Sequence, residues 1–391
     1  MQPTDRSRQQ QHIMARARRV VIKVGSAIMT TANGLNLGFI KELTDNLAAL
    51  ARSGREVVLV SSGAIAAGFK KIGLPAKPRA IPQKQAVAAI GQSTMMQQYE
   101  QAFDRHGLKV AQILLTRNDL ANRRRYLNAR NTLFTLLNWK IIPIINENDT
   151  VVVEEIQFGD NDNLSALISS LVQADLLIIL TDIDGLYDQD PRQHPEARLI
   201  PLVEHIDVRL ERAASRQPGV IGSGGMFSKI QAAKKAASVG IPTIIAHGLK
   251  PNIIEQLFAG AEDGTLFLSN VTKLRSRQYW LAYTTNPAGD IVVDDGARQV
   301  LRYKGKSLLP AGIVGINGRF SAGAAVRLVD TAGEIIGIGL SNYSSQDLAC
   351  IKGLKTCNIQ DSLGYKGYDE VVHRDNMVIF SESRTLTQGE G

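Results

Sequence analysis

The sequence predicts an α/β protein: a three-layer αβα sandwich around a mostly parallel sheet, followed by a small β-rich domain. Short β-branched apolar runs alternate with longer segments whose apolar residues recur every three or four positions. This alternation indicates strands that are buried on both faces and helices that pack by one face. After residue 286 the pattern changes to short strands bounded by glycines, with no long helical segment between them.

The elements of the α/β region can be assigned in chain order. Six apolar runs are predicted strands, at 20–24, 57–60, 110–115, 141–145, 176–180 and 242–246. The main predicted helices are at 41–52, 86–103, 123–138, 164–172 and 229–239. Right-handed crossovers between parallel strands place the loops that follow the strands along one edge of the sheet, where ligands of such folds bind.

From these patterns we expect four segments along the 391 residues: a flexible basic tail at 1–17, an α/β domain at 18–270, a β-rich domain at 288–367 and a flexible tail at 376–391. The first 19 residues hold five arginines and one aspartate, which is half of the formal net charge of +8. They lack the apolar core of a secretory signal. The last dozen residues are rich in Ser, Thr, Gln and Glu, a composition typical of frayed termini.

The composition argues against several classes of protein. Residues 151–200 contain ten acidic side chains and two arginines, so the chain is not basic along its length, as a protein that grips a nucleic-acid backbone throughout would be. No apolar run approaches the ~20 residues that a membrane helix needs. Two cysteines, Cys350 and Cys357, are too few for a disulfide framework, and reduced thiols in a cytoplasmic protein are the simpler interpretation.

Candidate functional residues stand where the predicted strands end. Lys23 lies within an apolar strand, where an ammonium group is costly unless an anion pairs with it. Gly25 follows at the strand end, and glycine lets backbone N–H groups approach a phosphate closely. The alternative is an edge strand with Lys23 in solvent. Ser62 precedes a run of small residues, where it could bind a ligand or merely cap the next helix.

Two further polar clusters follow. Residues 146–149 read Asn-Glu-Asn-Asp directly after a strand, so they could bind an ammonium or amide group or form an Asn/Asp turn. Residues 160–163 read Asp-Asn-Asp-Asn after a glycine, which exceeds what helix capping requires and favours a functional role. Adjacent carboxylates imply cations close by, either a metal ion or lysines.

The last two clusters are an acidic turn and a glycine-rich loop. Thr181 and Asp182 open a turn whose glycine comes too early for an EF-hand calcium loop. Residues 222–229 read Gly-Ser-Gly-Gly-Met-Phe-Ser-Lys, which combines bare N–H groups, a helix N-terminus and an ammonium group. The spacing fits neither the Walker pattern nor the dinucleotide fingerprint, and a surface loop is the alternative.

Six such clusters on successive strand ends indicate an anionic ligand that is held by two lysines and one or more carboxylates. This inventory suits phosphoryl transfer, which needs positioning and charge neutralisation more than covalent chemistry.

The motifs at 21–26, 62–68, 146–149, 159–163, 181–187 and 224–229 resemble, in order and spacing, those of the glutamate 5-kinase family of the amino acid kinase superfamily. The resemblance runs from about residue 18 to about residue 375, and 288–367 resembles a PUA domain. It implies an enzyme that transfers the γ-phosphoryl group of ATP to the γ-carboxylate of L-glutamate. The product would be L-glutamyl 5-phosphate, formed in the first step of proline biosynthesis.

The resemblance also implies roles for individual residues. Lys23, Asp162 and Lys229 would be catalytic, with Asp162 holding both ammonium groups in place. Glutamate would be bound by Ser62, Asp149 and Asn161. The nucleotide would contact Lys23, Gly25, Thr181, Asp182, Ser223, Gly224, Gly225, Met226, Phe227, Ser228 and Lys229. Mg²⁺ would arrive with ATP, held chiefly by phosphate oxygens, so no protein metal ligand is predicted.

Two alternatives stay open at this point. A related kinase could act on N-acetylglutamate, aspartate or a nucleoside monophosphate, although Asp149 suits a free α-ammonium group better than a blocked amine. An RNA-binding protein that acts through the PUA domain is the alternative from another class. The resemblance further implies a homo-oligomer, either a tetramer or a dimer, and feedback inhibition by proline. The lack of a long apolar run predicts no membrane association.

Overall fold

The structure is a computed structural model that describes residues 5–32, 34–74, 78–151, 161–206, 210, 225–269 and 287–380. The chain divides into two compact units, Met1–Lys273 and Leu274–Gly391. In the part of the chain that is described, no helix is both long enough and apolar enough to cross a membrane.

The first unit is built on one large, mostly parallel sheet. Its described strands are β1 (Arg19–Val24), β2 (Thr30–Thr31), β3 (Gly34–Leu35), β4 (Glu56–Val60), β5 (Val110–Leu115), β6 (Ile142–Glu147), β7 (Leu176–Thr181), β8 (Leu202–Val203), β9 (Thr243–His247) and β10 (Thr265–Phe267). The large sheet has the order β5-β6-β4-β1-β7-β9-β10-β8, and β2 pairs with β3 in a separate two-stranded sheet. Neighbouring strands of the large sheet are parallel except β9 and β10.

Helices cover both faces of this sheet. The described ones are α1 (Asp5–Arg16), α2 (Ser26–Met29), α3 (Leu37–Arg52), α4 (Ala64–Lys71), α5 (Ile81–Asp104), α6 (Arg117–Ala121), α7 (Arg123–Asn138), α8 (Asn161–Val172), α9 (Met226–Ser238) and α10 (Ile253–Phe258). Alternate residues of β1 point to opposite faces of the sheet and pack into two separate apolar cores. Ile22 packs with α3 and α5, whereas Val21 packs with α8 and α9. The predicted three-layer sandwich is therefore confirmed.

All six predicted strands and all five predicted helices are present, with ends that differ by a few residues. Strands β8 and β10 were not predicted. They are two and three residues long, which is too short for a periodic pattern to appear in the sequence.

The N-terminal segment corrects the prediction of a flexible tail at 1–17. Residues Asp5–Arg16 form α1, which packs on the first unit. The Gln10 amide is fully buried and donates to the carbonyls of Leu257 and Ala261, at 3.1 and 2.7 Å. Arg6 donates to the Asp263 carbonyl at 2.6 Å, and Met14 joins the core. A polar composition suggested disorder, but here the polar side chains are the ones that attach the helix.

We expect Gln10→Ala to lower the free energy of unfolding by about 1–3 kcal/mol, because two buried carbonyls lose their donor. Urea denaturation of the full chain measures the change. Gln9→Ala is the matched control, because Gln9 is exposed on the same helix. Equal unfolding midpoints for the two variants would show that α1 adds no stability through this contact.

Two glycines bring α4 and α5 into backbone contact below the candidate site. A Cβ atom at Gly68 would lie 1.9 Å from the Val87 carbonyl oxygen, and one at Gly91 would lie 1.7 Å from that of Ala64. Only glycine permits such an approach. It places the buried face of α5 beside the carboxyl ends of the central strands.

The second unit holds a five-stranded sheet in the described residues. Its strands are β11 (Asp290–Val293), β12 (Ile313–Asn317), β13 (Ala325–Val329), β14 (Ile335–Leu340) and β15 (Met377–Ile379), in the order β12-β11-β13-β14-β15. The helices are α11 (Asp295–Lys304), α12 (Ser345–Ile351) and α13 (Ile359–Leu363), with 3₁₀ turns at Pro310–Gly312, Thr356–Asn358 and Arg374–Asn376. The sheet and α11 pack around one apolar core that includes Ile291, Leu301 and Val326.

The second unit is β-rich, as predicted, but its end was placed too early. The predicted boundary at 367 and the predicted flexible tail at 376–391 exclude β15, which pairs with β14. Met377 and Val378 are buried in the core of this unit, so the chain is ordered through this strand. Residues 381–391 lie outside the described residues. A three-residue strand next to a polar terminus gives no periodic pattern, which is why it was missed.

Candidate active site

The carboxyl ends of the central strands meet at one edge of the large sheet. Strand β1 lies between β4 and β7, and Lys23 is level with Val60 on one side and Ile179 on the other. Lys23 is only 4% exposed. The alternative of an edge strand with Lys23 in solvent is therefore wrong.

Three charged groups from distant parts of the chain meet beside this strand end. The Lys23 Nζ lies 2.5 Å from Asp162 Oδ1, and the Lys229 Nζ lies 3.2 Å from Asp162 Oδ2. Asp162 stands in the first turn of α8, and Lys229 stands in the first turn of α9. The Ser228 hydroxyl also donates to Asp162 Oδ2, at 2.7 Å. The sequence analysis selected all four residues.

Burial and charge act against each other in this cluster. Burial tends to raise the pKa of Asp162, but Lys23 and Lys229 outweigh it and hold that pKa well below its usual range. Burial lowers the pKa of Lys23 and Lys229 adds to the effect, whereas Asp162 opposes it. With one carboxylate between two ammonium groups, the cluster has an excess of positive charge. It is therefore suited to an incoming anion.

Asn161, the neighbour of Asp162, connects the ends of two strands. Its Nδ2 lies 2.9 Å from the Ser61 carbonyl, 2.9 Å from the Ser62 hydroxyl and 2.9 Å from Asn146 Oδ1. The Ser61 carbonyl can only accept, so it fixes which end of the Asn161 amide faces the sheet. The structure therefore brings the predicted residues Ser62 and Asn161 into direct contact.

Ser62 does not cap α4. The residue before that helix is Gly63, whose φ of 107° is in the left-handed region that favours glycine, and no side chain caps the helix there. The Ser62 hydroxyl is thus left for Asn161.

The amide chain continues from Asn146 into α5. Asn146 Nδ2 donates to Gln92 Oε1 at 2.8 Å, and both side chains are at least nine-tenths buried. Gln92 was not selected from the sequence. Its only indication there is a polar residue on the apolar face of a helix, between Ala88 and Met95, and such residues usually have no function.

Asp149 lies close to this chain. It lines a cavity of about 270 Å³ together with Gln92, Glu147, Asn148 and Thr150. Burial raises the pKa of Asp149 to about 6. Because Gln92 also bonds Asn146, the cavity adjoins the cluster around Asn161.

The predicted nucleotide residues lie on the other side of Lys23. The Gly25 N–H donates to the Leu180 carbonyl at 3.1 Å, which places it beside the end of β7. Thr181 is buried and its hydroxyl donates to Asp182 Oδ1 at 3.1 Å. Gly225 precedes α9, Met226 is buried and Phe227 is exposed. The predicted residues Ser223 and Gly224 lie outside the described residues.

The described residues contain no group of three or more His, Cys, Asp or Glu side chains that could hold a metal ion. Both Asp162 oxygens face ammonium groups. That Mg²⁺ arrives with ATP and is held chiefly by phosphate oxygens stays a prediction.

A parallel α/β domain with two buried ammonium groups at the carboxyl edge of its sheet is typical of phosphotransferases. The model of the amino acid kinase family matches residues 18–247, and the model of the PUA domain matches residues 289–363. A glutamate 5-kinase of Geobacter sulfurreducens is 53% identical over 368 residues, 94% of this chain and 99% of that protein. Glutamate 5-kinases of Pelobacter propionicus and Meiothermus ruber are 54% and 53% identical, over 94% and 93% of this chain and 99% and 96% of their own lengths.

The chain therefore belongs to the amino acid kinase family, among the relatives named glutamate 5-kinase. The family resemblance, the fold class and the PUA domain that were predicted from the sequence are confirmed. The roles of individual site residues stay predictions.

Proposed function

We propose that this protein phosphorylates the γ-carboxylate of L-glutamate with ATP, giving L-glutamyl 5-phosphate and ADP. The observation that carries the proposal is the buried Lys23–Asp162–Lys229 cluster, which lies beside the Ser62–Asn161 contact. The names of the relatives support glutamate as the acceptor. The reaction would open proline biosynthesis.

The chemistry needs no general base, because a carboxylate is already a nucleophile at neutral pH. One γ-carboxylate oxygen attacks the γ-phosphorus of ATP, the bond from that phosphorus to the β-phosphate oxygen breaks, and ADP leaves with the electron pair. The obstacle is repulsion between two anions. Lys23 and Lys229 reduce that repulsion in a buried place where their charges act strongly. Mg²⁺ bound to the phosphates would neutralise further negative charge.

The acceptor side matches an amino acid with a free ammonium group. Asp149 supplies a carboxylate for that group. Asn161 Oδ1 is buried and has no hydrogen-bond partner among the described residues, so it can accept a bond from the ligand. The Ser62 hydroxyl completes the proposed glutamate site.

The nucleotide side is proposed from the glycine-rich approach to α9 and from the end of β7. Gly225 leads into the first turn of α9, which carries Lys229, and a helix N-terminus presents backbone N–H groups to phosphates. Gly25 lies next to the Lys23 ammonium and, without a side chain, leaves room for a phosphate there. Thr181 and Asp182 stand next to Gly25 at the same edge of the sheet, where they can contact the nucleotide.

A substrate panel tests the function. The full chain is incubated with ATP, Mg²⁺ and one acceptor at a time, and hydroxylamine traps any acyl phosphate as a hydroxamate. We expect hydroxamate and ADP with L-glutamate but not with aspartate or N-acetylglutamate. Product from N-acetylglutamate alone would move the protein to the related kinase, and ADP release with uridine monophosphate alone would make it a nucleotide kinase.

The pH dependence should follow Asp149. In the free enzyme its pKa of about 6 keeps the carboxyl ionised above that pH and neutral below it. We expect kcat/KM for glutamate to fall by about tenfold per pH unit below pH 6, because the neutral acid no longer attracts the substrate ammonium. Steady-state rates between pH 5 and pH 8 measure this limb.

Asp149→Asn supplies the comparison. We expect this variant to raise KM for glutamate by about tenfold to a hundredfold and to lack the acidic limb. The pH profile of kcat/KM for ATP at saturating glutamate is the control, since ATP does not contact Asp149 in this proposal. An acidic limb that persists in Asp149→Asn would assign it to another group.

Regulation and assembly belong to the same proposal. From the family resemblance we propose a cytoplasmic homo-oligomer that proline inhibits. If initial rates at limiting glutamate do not change with added proline, the proposed inhibition is wrong. If the protein sediments as a monomer, the proposed oligomer is wrong.

RNA binding by the PUA domain is the second candidate, and the matched domain model supports it. Filter binding to bulk tRNA over a salt series tests it. Tight, salt-sensitive binding together with no ADP release would make RNA binding the main function. ADP release with glutamate would leave RNA binding as an additional property at most.

A further inference from the structure

Tyr99 is a fully buried tyrosine on α5 whose hydroxyl lies next to the site without facing the proposed ligands. It shares a hydrogen bond of 2.9 Å with the Ser61 hydroxyl and lies 3.4 Å from the Met29 sulfur. Both Tyr99 and Ser61 have no exposed surface. Burial raises the pKa of Tyr99 further above its usual range, so the phenol stays neutral over the working pH range.

Ser61 is the residue through which this hydroxyl can reach the acceptor site. It follows the last residue of β4, and its carbonyl accepts the Asn161 amide at 2.9 Å. The next residue, Ser62, accepts from the same amide. A shift of Ser61 would therefore move two of the three contacts that orient Asn161.

The surroundings offer Ser61 no equal replacement for the tyrosine. Its other hydroxyl contacts are the Ser62 carbonyl at 3.3 Å and the Met95 sulfur at 3.5 Å, both longer than the bond to Tyr99. Neither side chain has exposed surface, so bulk water does not reach the pair. A buried hydroxyl that loses its best partner is costly, and the local backbone adjusts to recover one.

We propose that Tyr99 is a positioning residue for the acceptor: its hydroxyl fixes Ser61, and Ser61 in turn holds Asn161 and Ser62 in the orientation that binds the glutamate carboxylate and ammonium groups. This inference rests on the proposed function. The nucleotide residues Thr181 and Asp182 are not among the contacts of this pair, so the effect should fall on one substrate.

Tyr99→Phe tests the proposal, since it removes one oxygen and keeps the ring. We expect KM for glutamate to rise by about tenfold, which corresponds to the binding free energy lost with one buried hydrogen bond. KM for ATP should stay unchanged, and kcat should fall less than KM for glutamate rises. Ser61→Ala should reproduce this pattern. The double variant should be no worse than either single variant, because each change removes the same bond.

Tyr343→Phe is the matched control. Tyr343 is a buried tyrosine of the second unit, and its hydroxyl accepts the Tyr368 N–H at 3.0 Å. This variant should lose stability but keep both KM values. An unchanged KM for glutamate in folded Tyr99→Phe, or additive effects in the double variant, would overturn the proposal. If Tyr99→Phe does not fold, Ser61→Ala carries the same comparison.

A second measurement separates this inference from the proposed function. Wild-type protein that makes no hydroxamate from glutamate would reject the function, whatever Tyr99 does. Amide hydrogen exchange of residues 61–64 in the ligand-free protein then tests the positioning role alone. Faster exchange in Tyr99→Phe than in wild type supports it, and identical exchange overturns it.

Discussion

Lys229→Ala should lower kcat by about 10²–10³-fold while KM for glutamate changes little. Lys229 is 5% exposed, and its Nζ lies 3.2 Å from Asp162 Oδ2, on the side of the cluster where α9 begins. In the proposed function its charge acts on the moving phosphoryl group, whereas the glutamate is bound by Ser62, Asp149 and Asn161. Initial rates over a matrix of ATP and glutamate concentrations separate the two parameters.

Lys234→Ala is the control for this experiment, because Lys234 is an exposed lysine on the same helix and its loss changes the net charge equally. It should leave kcat unchanged. If Lys229→Ala raised KM for glutamate as much as it lowered kcat, Lys229 would be a substrate-binding residue and its assigned role would be wrong.

The fold could be predicted because its main elements are long enough to show a period. Strand β7 has six buried residues in a row, and α3 carries apolar residues along one face for 16 residues. The elements that were missed lack such a pattern. Strand β15 is three residues long, and α1 contains few apolar residues, so its attachment depends on Gln10 and Arg6, whose partners are more than 240 residues away.

Some residues of the candidate site could likewise be predicted from the sequence, and others could not. Lys23 stood out because a lysine inside an apolar strand needs an explanation, and Asp162 because four polar residues opened a helix. Gln92 and Tyr99 did not stand out, because a single polar residue on a buried helix face is common and its partner cannot be read from one sequence. Their importance depends on which strand ends the fold places beside α5, and the glycine contacts between α4 and α5 determine that placement.

Asp162→Asn should have the largest combined effect on the protein. The substitution removes the carboxylate that lies between the buried Lys23 and Lys229, and breaking a buried ion pair in this way costs about 3–5 kcal/mol of unfolding free energy. We also expect kcat to fall by about 10³-fold, because the two ammonium groups repel each other and leave the positions that face the phosphoryl group. Urea denaturation and ADP release measure the two effects.

Asp104→Asn is the matched control, because Asp104 pairs with Lys109 at 2.8 Å on the surface, where both side chains are at least 49% exposed. It should cost at most about 1 kcal/mol. The pH dependence of the unfolding free energy of the wild-type protein is a further measurement. Because the pKa of Asp162 is depressed in the folded state, its carboxylate stabilises the protein above the pKa of the unfolded state, about 4. This stabilisation is lost as the pH falls below that value.

The double variant Asp162→Asn/Lys23→Met separates stability from catalysis. Removing one of the two ammonium groups should recover part of the lost unfolding free energy, since an apolar side chain of similar length suits the buried strand position better than an ammonium group that has lost the Asp162 carboxylate. Activity should stay at the level of Asp162→Asn or below, because the phosphoryl group then has one cation fewer. If stability and activity returned together, folding alone would explain the defect, and Asp162 would have no separate role in holding the two lysines for catalysis.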